Sequence, residues 1–518
     1  MKRMKLTVAG RVVVFILIAA LLCTGGYFGY KHFAPAGLIE NFGSDALGNN
    51  EKVENVNNNN NVTNDTTINL SLDEWIGWKP IIDANQGLTT QPGSIFDQLG
   101  IKVNINVIND AEASSNALIK GDLNAAGYTL NRTAFLSGKF EDAGLDVVMP
   151  VFTNYSDGGD GIIALSNIDS IEDLVNAKIG VPKFSEAQSL VVWFINKSDL
   201  TDAEKQKIID NLVLLDDAEQ TGQAFFAGSL DVAATWQPYL SNAENSTNSH
   251  ILFDTSSSNK LIMDGILFRA DFAQAHPDVV SKFIDGIFQA EEMYETEFDY
   301  IRKVMPMFAG ASDEDILGMC GDAGLMGYSE NVNALENDCP IVFADMCSVW
   351  ESIGETVNRS LGATLFDATY VKALSDSYSS LQQEEVFEIT EEQKEAAIDA
   401  GALLSKSATV NFIDDTAKFM DNAEADAVLR EFVDIAKTLN GTIIQIEGNI
   451  NSNVTNEVGM MLSLERAKTV KNYLIANGID ADRIIVVGNG NTKMIVPTNS
   501  EDSYLNRRTD IFFKTIED

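Results

Sequence analysis

Ile101-Lys-Val-Asn-Ile-Asn-Val107, followed by Ala111–Lys120 and then Gly121, sets the class of the fold. Ile101, Val103, Ile105 and Val107 alternate with polar residues after a turn at Gly100, the period of a strand with one buried face. Ala111–Lys120 reads as a short helix, and Gly121 ends it. Outward from this unit the alternation repeats. Leu145–Val151 and Gly161–Leu165 read as buried strands, and Ser170 with Asp173 as a capping box opening a helix. Lys178–Val181 is a further strand, and Thr201 with Glu204 forms a second capping box. Val213–Leu215 and Leu230–Thr235 are strands around a helix at Gln220–Ala227. Such alternation implies mainly parallel sheets covered by helices. From Asp271 to about Leu381 the periodicity is largely helical.

A charged, apolar-poor stretch, Gln382–Lys394, marks a boundary and a helical spacer. Beyond it, Ala408–Phe412 reads as a strand, Ala423–Leu439 as a helix and Thr442–Glu447 as a strand. A helix at Glu457–Ala476 and strands at Arg483–Val487 and Thr509–Phe513 complete a βαβαββ-like module of α+β type. At 518 residues the chain exceeds what one core supports,.

The other end of the chain sets its location. Lys2, Arg3, Lys5 and Arg11 precede an uncharged run, Val12–Tyr30, which as a helix reaches roughly 28 Å, close to a bilayer core. Basic residues on the N-terminal side keep that end in the cytoplasm and export everything after Lys31. The expectation is a transmembrane anchor, with a cleavable signal peptide as the rival reading. Pro35 to about Leu70, with its asparagine tract Asn57–Asn61, buries too little to offset its chain entropy and reads as a flexible tether.

Composition narrows the function. Seventy-six acidic against 36 basic residues give a formal charge of -40, which repels nucleic acid and anionic lipid,. Of the four cysteines, Cys23 is in the anchor, and Cys320, Cys339 and Cys347 lack metal spacing. They are read either as one pair plus a leftover or as free buried thiols. Of the three histidines, His32, His250 and His276, none lies in a nucleophile motif, and HExxH, GxSxG and GxxxxGK are absent. No catalytic residue, metal or cofactor is assigned, and the chain is read as a binding protein and not an enzyme.

Trp75-Ile-Gly-Trp-Lys-Pro80, Gly121-Asp-Leu-Asn-Ala-Ala126, Asp157-Gly-Gly-Asp-Gly-Ile162, Lys178-Ile-Gly-Val-Pro182 and Gly228–Ala234 with Trp236-Gln-Pro238 occur in order. On these the stretch Ser71–Leu381 resembles the solute-binding proteins of ABC importers, of the nitrate, sulfonate and taurine type. The resemblance implies an α/β periplasmic-binding-protein fold of two lobes, the second at about 160–265, closing on a solute by a hinge. Implied ligand contacts are Trp78 and Lys79 after the first strand, Thr129 and Asn131, Asp157 and Asp160 at the crossover, Ser185 and Gln188 at a helix start, and Trp236 on the far wall. Lys79, Lys183 and Arg132 suit an anion, whereas Asp157 and Asp160 suit an ammonium. A zwitterion such as an aminosulfonate uses both.

Leu462-Ser-Leu-Glu-Arg-Ala467, Gly478-Ile479, Arg483-Ile484, Gly488-Asn-Gly490 and Asn506-Arg-Arg508 are similar to the OmpA-like peptidoglycan-binding domain. The similarity implies that Arg466 grips the carboxylate of the wall peptide's diaminopimelate. Where that family carries an aspartate for the ammonium, this chain has Asn451 in Gly448-Asn-Ile-Asn451, so a charge is missing. Arg507 and Arg508 either contact the wall or pack the end of the sheet.

The expected organisation is an anchor at 1–36, a tether at 37–70, a two-lobed domain at 71–385, a spacer at 386–404 and an OmpA-like domain at 405–518. The partners expected are a small polar anionic or zwitterionic solute, an ABC importer permease, peptidoglycan and the membrane, with no nucleic acid. The bulk of the chain is placed outside the cytoplasmic membrane. The alternative is a structural membrane-to-wall connector or sensor whose solute domain is degenerate.

Overall fold

The computed structural model describes residues 66–258, 261–378, 389–452 and 457–515. The expected anchor Val12–Tyr30, the asparagine tract and most of the tether lie outside the described residues. Among the described residues, no helix is long and apolar enough to cross a membrane.

Two sheets form the larger part. The first has the order β11-β4-β10-β3-β1-β2 and the second β7-β6-β8-β5-β9. Lobe one comprises β1 (Ile68–Leu72), β2 (Val103–Val107), β3 (Ala125–Thr129), β4 (Val147–Ser156), β10 (Met263–Arg269) and β11 (Ala323–Leu325). Lobe two comprises β5 (Asp160–Leu165), β6 (Ile179–Pro182), β7 (Val213–Leu215), β8 (Val232–Trp236) and β9 (Ser249–Asp254). The chain passes from lobe one to lobe two between β4 and β5, and returns between β9 and β10.

The sheets are mixed, which corrects the expectation of mainly parallel pairing. β1 pairs parallel with β2 and β3, and β6 with β7 and β8. β10 runs antiparallel between β3 and β4, and β5 antiparallel between β8 and β9. A strand arriving from the other lobe needs no helical crossover within its own sheet, so nothing compels it to be parallel. β1 begins at Ile68, inside the stretch read as tether, because Ile68, Leu70 and Leu72 are all buried.

Local signals set most helix ends. Ala111–Lys120 is helical and ends at Gly121 with φ 82°, a left-handed cap,. Thr201 and Glu204 form the expected box, Oγ1 accepting from the Glu204 N–H and Oε2 from the Thr201 N–H. Ser170 and Asp173 also form a box, but the segment that follows, Ile171–Asn176, is a 3₁₀ helix.

The helix Cys339–Ser352 backs both lobes. Trp350 Nε1 donates to the Asn131 carbonyl in lobe one. Asp345 accepts from Trp193 Nε1 at 3.1 Å and Lys197 Nζ at 2.9 Å in lobe two. Cys320, Cys339 and Cys347 are buried, and no disulfide joins them.

The C-terminal module has a sheet of order β12-β15-β13-β14, built from β12 (Leu404–Ala408), β13 (Ile443–Asn449), β14 (Ile484–Gly490) and β15 (Thr509–Lys514). The helices Asn422–Thr438 and Glu457–Ala476 connect its strands in βαβαββ order. β12 lies four residues earlier than expected. Phe412 instead bridges to Phe419 across a loop, with ring centroids 5.4 Å apart. Arg483 is buried and caps the first helix: Nη1 donates to the Ala436 carbonyl, Nη2 to that of Leu439 and Nε to that of Thr442. In the spacer, Glu391–Asp399 is helical.

Lys79 and Asp83 form a fully buried ion pair at 2.6 Å, and Lys79 Nζ also donates to the Met293 carbonyl. Burial pushes the Asp83 carboxyl up to about 7 even against the pull of Lys79. Removing one partner of such a pair leaves an uncompensated charge, at a cost of about 3 kcal/mol or more. Lys79→Met is therefore expected to destabilise lobe one by that amount at pH 8 and by less at pH 5, where Asp83 takes up a proton. The double substitution Lys79→Met with Asp83→Leu should recover most of the loss. Urea unfolding at the two pH values checks this, and equal losses at both would contradict it.

Candidate functional site

The waist between the lobes is built by two helix starts that face each other. Thr129 ends β3 and caps the helix Leu130–Asp142, its Oγ1 accepting from the Arg132 N–H. Ser185 caps the helix Glu186–Lys197 by accepting from the Gln188 N–H, and its hydroxyl donates to the Pro182 carbonyl. Across the gap, Arg132 Nε donates to Glu186 Oε1 at 2.9 Å and Nη2 to Oε2 at 2.8 Å, a bidentate bridge from lobe one to lobe two. Thr129 Oγ1 donates to the same carboxylate at 2.8 Å, and Asn131 Nδ2 donates to Ser189 Oγ at 2.9 Å. Burial alone would raise the Glu186 carboxyl, but Arg132 overcomes it and holds it below its ordinary value.

Around this bridge stand three more carboxyls. Asp73 follows β1 and accepts from Trp78 Nε1 at 2.7 Å. Asp160 opens β5 and accepts from Ser156 Oγ at 2.8 Å. Asp264, 4% exposed, lies in the returning strand β10. All three are raised, with burial as the largest cause in each. Asp160 reaches about 7, Glu186 and Asp322 adding to the effect. Asp264 lies well above its ordinary value, with Asp73, Glu186 and Asp160 all adding to its burial. Trp75 Nε1 donates to Asn154 Oδ1 at 2.9 Å beside them. A water-sized cavity of about 10 Å³ at the carboxyl ends of lobe one is lined by Ser71, Asp73, Ser114, Tyr128 and Arg132, among others. A larger groove of about 520 Å³, bordered by Phe184, Gln188, Leu212, Leu214 and Glu351, includes none of the waist carboxyls.

The expected contact residues divide. Thr129, Asn131 and Asp160 lie at the waist, as does Arg132, which the sequence offered only as a general anion partner. Trp78 is buried in lobe one and reaches the waist through Asp73. Lys79 is not at the waist: it is fully buried against Asp83, Tyr294 and Phe298. The Ser185 hydroxyl is consumed by capping, and Gln188 is buried, its side chain accepting from the Phe184 N–H. Asp157 lies in the first crossover, where its N–H donates to the Asp322 carbonyl. Trp236 ends β8 opposite Asp160 and is 47% exposed. Sequence reasoning missed Asp73, Glu186 and Asp264. The available signal was position: a carboxylate directly after a strand, one directly after a helix cap, and one inside an apolar strand.

In the C-terminal module, Arg466 is 7% exposed, with its guanidinium 4.9 Å from the Phe412 ring and Nε donating to the Thr416 carbonyl. Among the described residues, its Nη groups make no hydrogen bond. Burial, then the nearby Arg507, lowers its pKa, while Asp415 and Asp414 oppose this. Asn451 is held differently: its Nδ2 donates to the Thr498 carbonyl, and its Oδ1 accepts from Asn506 Nδ2. Arg508 is tied to Asp510 Oδ1 and the Lys493 carbonyl, at the end of the sheet. The four expected wall contacts thus separate into Arg466, whose pKa burial and the like charge of Arg507 lower, and two residues, Asn451 and Arg508, engaged in the module's own network.

Residues 411–508 match the OmpA family. Over 72 residues the chain is 39% identical to a peptidoglycan-associated lipoprotein of Buchnera aphidicola subsp. Baizongia pistaciae, a match covering 14% of this chain and 42% of that protein. It is 33% identical over 73 residues to the peptidoglycan-associated lipoprotein of Pseudomonas putida, covering 14% and 44%. The chain therefore spans less than half the length of these relatives. Among solved structures, the periplasmic aliphatic sulphonate binding protein SsuA from Escherichia coli superposes with a TM-score of 0.46 at 13% identity, covering 59% of this chain and 99% of that one.

Folded pKa values near 7 for Asp160 and 6 for Asp322 lie above the ordinary carboxylate value. The folded chain thus retains protons that the unfolded chain releases, so this stability is full below about pH 4 and is lost as pH rises through about 6 to 7. The melting temperature should fall between pH 5 and pH 8, and Asp160→Asn should remove part of that fall. A pH slope unchanged by Asp160→Asn in thermal melts would contradict this.

Proposed function

We propose that this chain is an extracytoplasmic solute receptor, serving an ABC importer permease, whose C-terminal module binds peptidoglycan and whose N-terminal segment anchors it at the membrane. The observation that carries the receptor reading is the Arg132–Glu186 bridge between two lobes joined by paired crossovers. A site closed by a lobe-to-lobe ion pair is one that a bound molecule can enter by exchanging partners. The reading is of a binding protein and not an enzyme.

The waist favours a zwitterion over a simple anion. Its arginine is already matched by Glu186, and Asp73, Asp160 and Asp264 add carboxyls without a second described cation. An anionic end that takes Glu186's place on Arg132 leaves an ammonium facing those carboxyls, which supplies the positive charge they lack. Nitrate or an alkanesulfonate supplies only the first half of that exchange. The connector alternative remains the outcome if no solute binds.

Ligand binding raises stability by mass action, by about 2.7 kcal/mol at a hundredfold excess over Kd. In a thermal-shift screen, taurine-like aminosulfonates should raise the melting temperature by several degrees, and nitrate and alkanesulfonates by little. Arg132→Ala should abolish the shift. No shift across anions, amines and zwitterions would sink the receptor reading.

For the wall, Arg466 with Arg507 supports carboxylate recognition, and Asn451 supplies no charge for an ammonium. Purified protein should sediment with isolated sacculi, and Arg466→Ala should weaken this about tenfold or more. Arg508→Ala should instead act through stability, since its partners are the module's own Asp510 and Lys493. Sedimentation unaffected by Arg466→Ala would contradict the assignment.

A further inference from the structure

The second crossover, which carries the chain from β9 back to β10, does two jobs at once. Thr255 is fully buried, and its Oγ1 ties the first crossover to the second. It lies 2.8 Å from Ser156 Oγ, accepts from the Gly158 N–H at 3.0 Å and donates to the Asp160 carbonyl at 3.2 Å. Any change of angle between the lobes must bend the chain on either side of this knot.

Two and three residues further on, the same crossover is held by the C-terminal module. The Ser257 carbonyl accepts from the Gly441 N–H at 3.1 Å. Ser258, fully buried, donates its hydroxyl to the Thr438 carbonyl. Thr438 ends the helix Asn422–Thr438, so its carbonyl is one of those a helix terminus leaves without a partner of its own,. The fit is close: a Cβ at Gly441 would lie 3.0 Å from three backbone atoms of Ser257. The module also grips lobe two with β12, the edge strand of its sheet. The Ser407 N–H donates to Asp199 Oδ2 at 2.7 Å, and Ser405 Oγ donates to Glu172 Oε1 at 2.9 Å. The module therefore rides on lobe two while holding the segment that leads back to lobe one.

We infer that the C-terminal module braces the receptor's hinge: docked, it fixes the second crossover and with it the angle between the lobes, and undocked it frees both. The brace goes beyond solute capture and wall attachment and requires neither ligand. It makes the position of a wall-binding module a control on lobe movement, since whatever displaces the module must break the Ser257–Gly441 and Ser258–Thr438 bonds. That wall attachment supplies such a displacement rests on the function proposed above; the brace itself does not.

Hydrogen-exchange mass spectrometry on the full chain, with no ligand added, tests it. One variant is Gly441→Val, whose side chain cannot fit against Ser257. The second is Asp199→Ala with Ser258→Ala, which removes one grip on lobe two and one on the crossover without placing bulk in either module. In both, peptides covering 156–160 and 255–258 should exchange at least tenfold faster than in the wild type, while β3, β10 and β13 keep their protection. If Gly441→Val also loses protection in β13, the double variant decides the matter. Crossover exchange equal to wild type in the double variant would overturn the brace, and would leave the solute and sacculus results untouched.

Discussion

Two helix starts meet at the waist, and the Arg132–Glu186 bridge makes that meeting tolerable. Helix N-termini carry partial positive charge, so Glu186 is well placed in the first turn of its helix and Arg132 is poorly placed in its own,. The bidentate carboxylate supplies what the arginine's position withholds. It also joins lobe to lobe by charge and geometry, beside the stacked rings of Phe135 and Phe184, whose centroids are 4.8 Å apart. A partly buried pair of this kind adds little net stability over well-packed apolar residues, because desolvation offsets most of its attraction,. What it contributes is exchangeability: either partner can accept another group of the same chemistry.

The carboxyls around the bridge follow from the same constraint. Asp73 follows β1, whereas Asp160 and Asp264 lie in β5 and β10, and the crossovers bring them to one place. Burial raises each of them, and like charge raises Asp264 further,. In a chain with a formal charge of -40, most acidic residues are solvated and inconspicuous. These three differ because water is largely excluded from them and no second described cation matches them.

The C-terminal module applies a related economy to its sheet. Ile444 and Ile446 of β13 face the helices, whereas Gln445, Glu447 and Asn449 alternate with them and are also buried. Their polar atoms are largely satisfied within the sheet: Glu447 accepts from Gln445, Asn489 and Lys493, and Asn449 donates to Asp510. Arg508 and Asn451 belong to this internal accounting of donors and acceptors, which is why they are not available as Arg466 is. The module's outer edge and helix end are likewise occupied, by lobe two and the second crossover.

Much of this was legible in the residues because the relevant physics is local. The Ala111–Lys120 helix with its Gly121 cap, the Thr201–Glu204 box and the strand Val213–Leu215 depend on neighbours within a few positions, and each lies where the pattern places it. The LSxxRA helix and the arginine at its centre were equally readable. Pairing direction was not, because the antiparallel course of β10 and β5 depends on where a strand arrives from, which is a long-range fact. Nor did the residues show that Lys79 turns inward to Asp83 while Arg132 turns across to Glu186. Both are cations near the start of a helix, and only the surroundings assembled by tertiary folding distinguish a core ion pair from a bridge between lobes. The sequence by itself determined the elements whose ends rest on local signals, such as Ala111–Lys120 and Val213–Leu215, and which family its end resembles. The tertiary structure decided which charges meet, because that depends on distances between residues far apart in the chain.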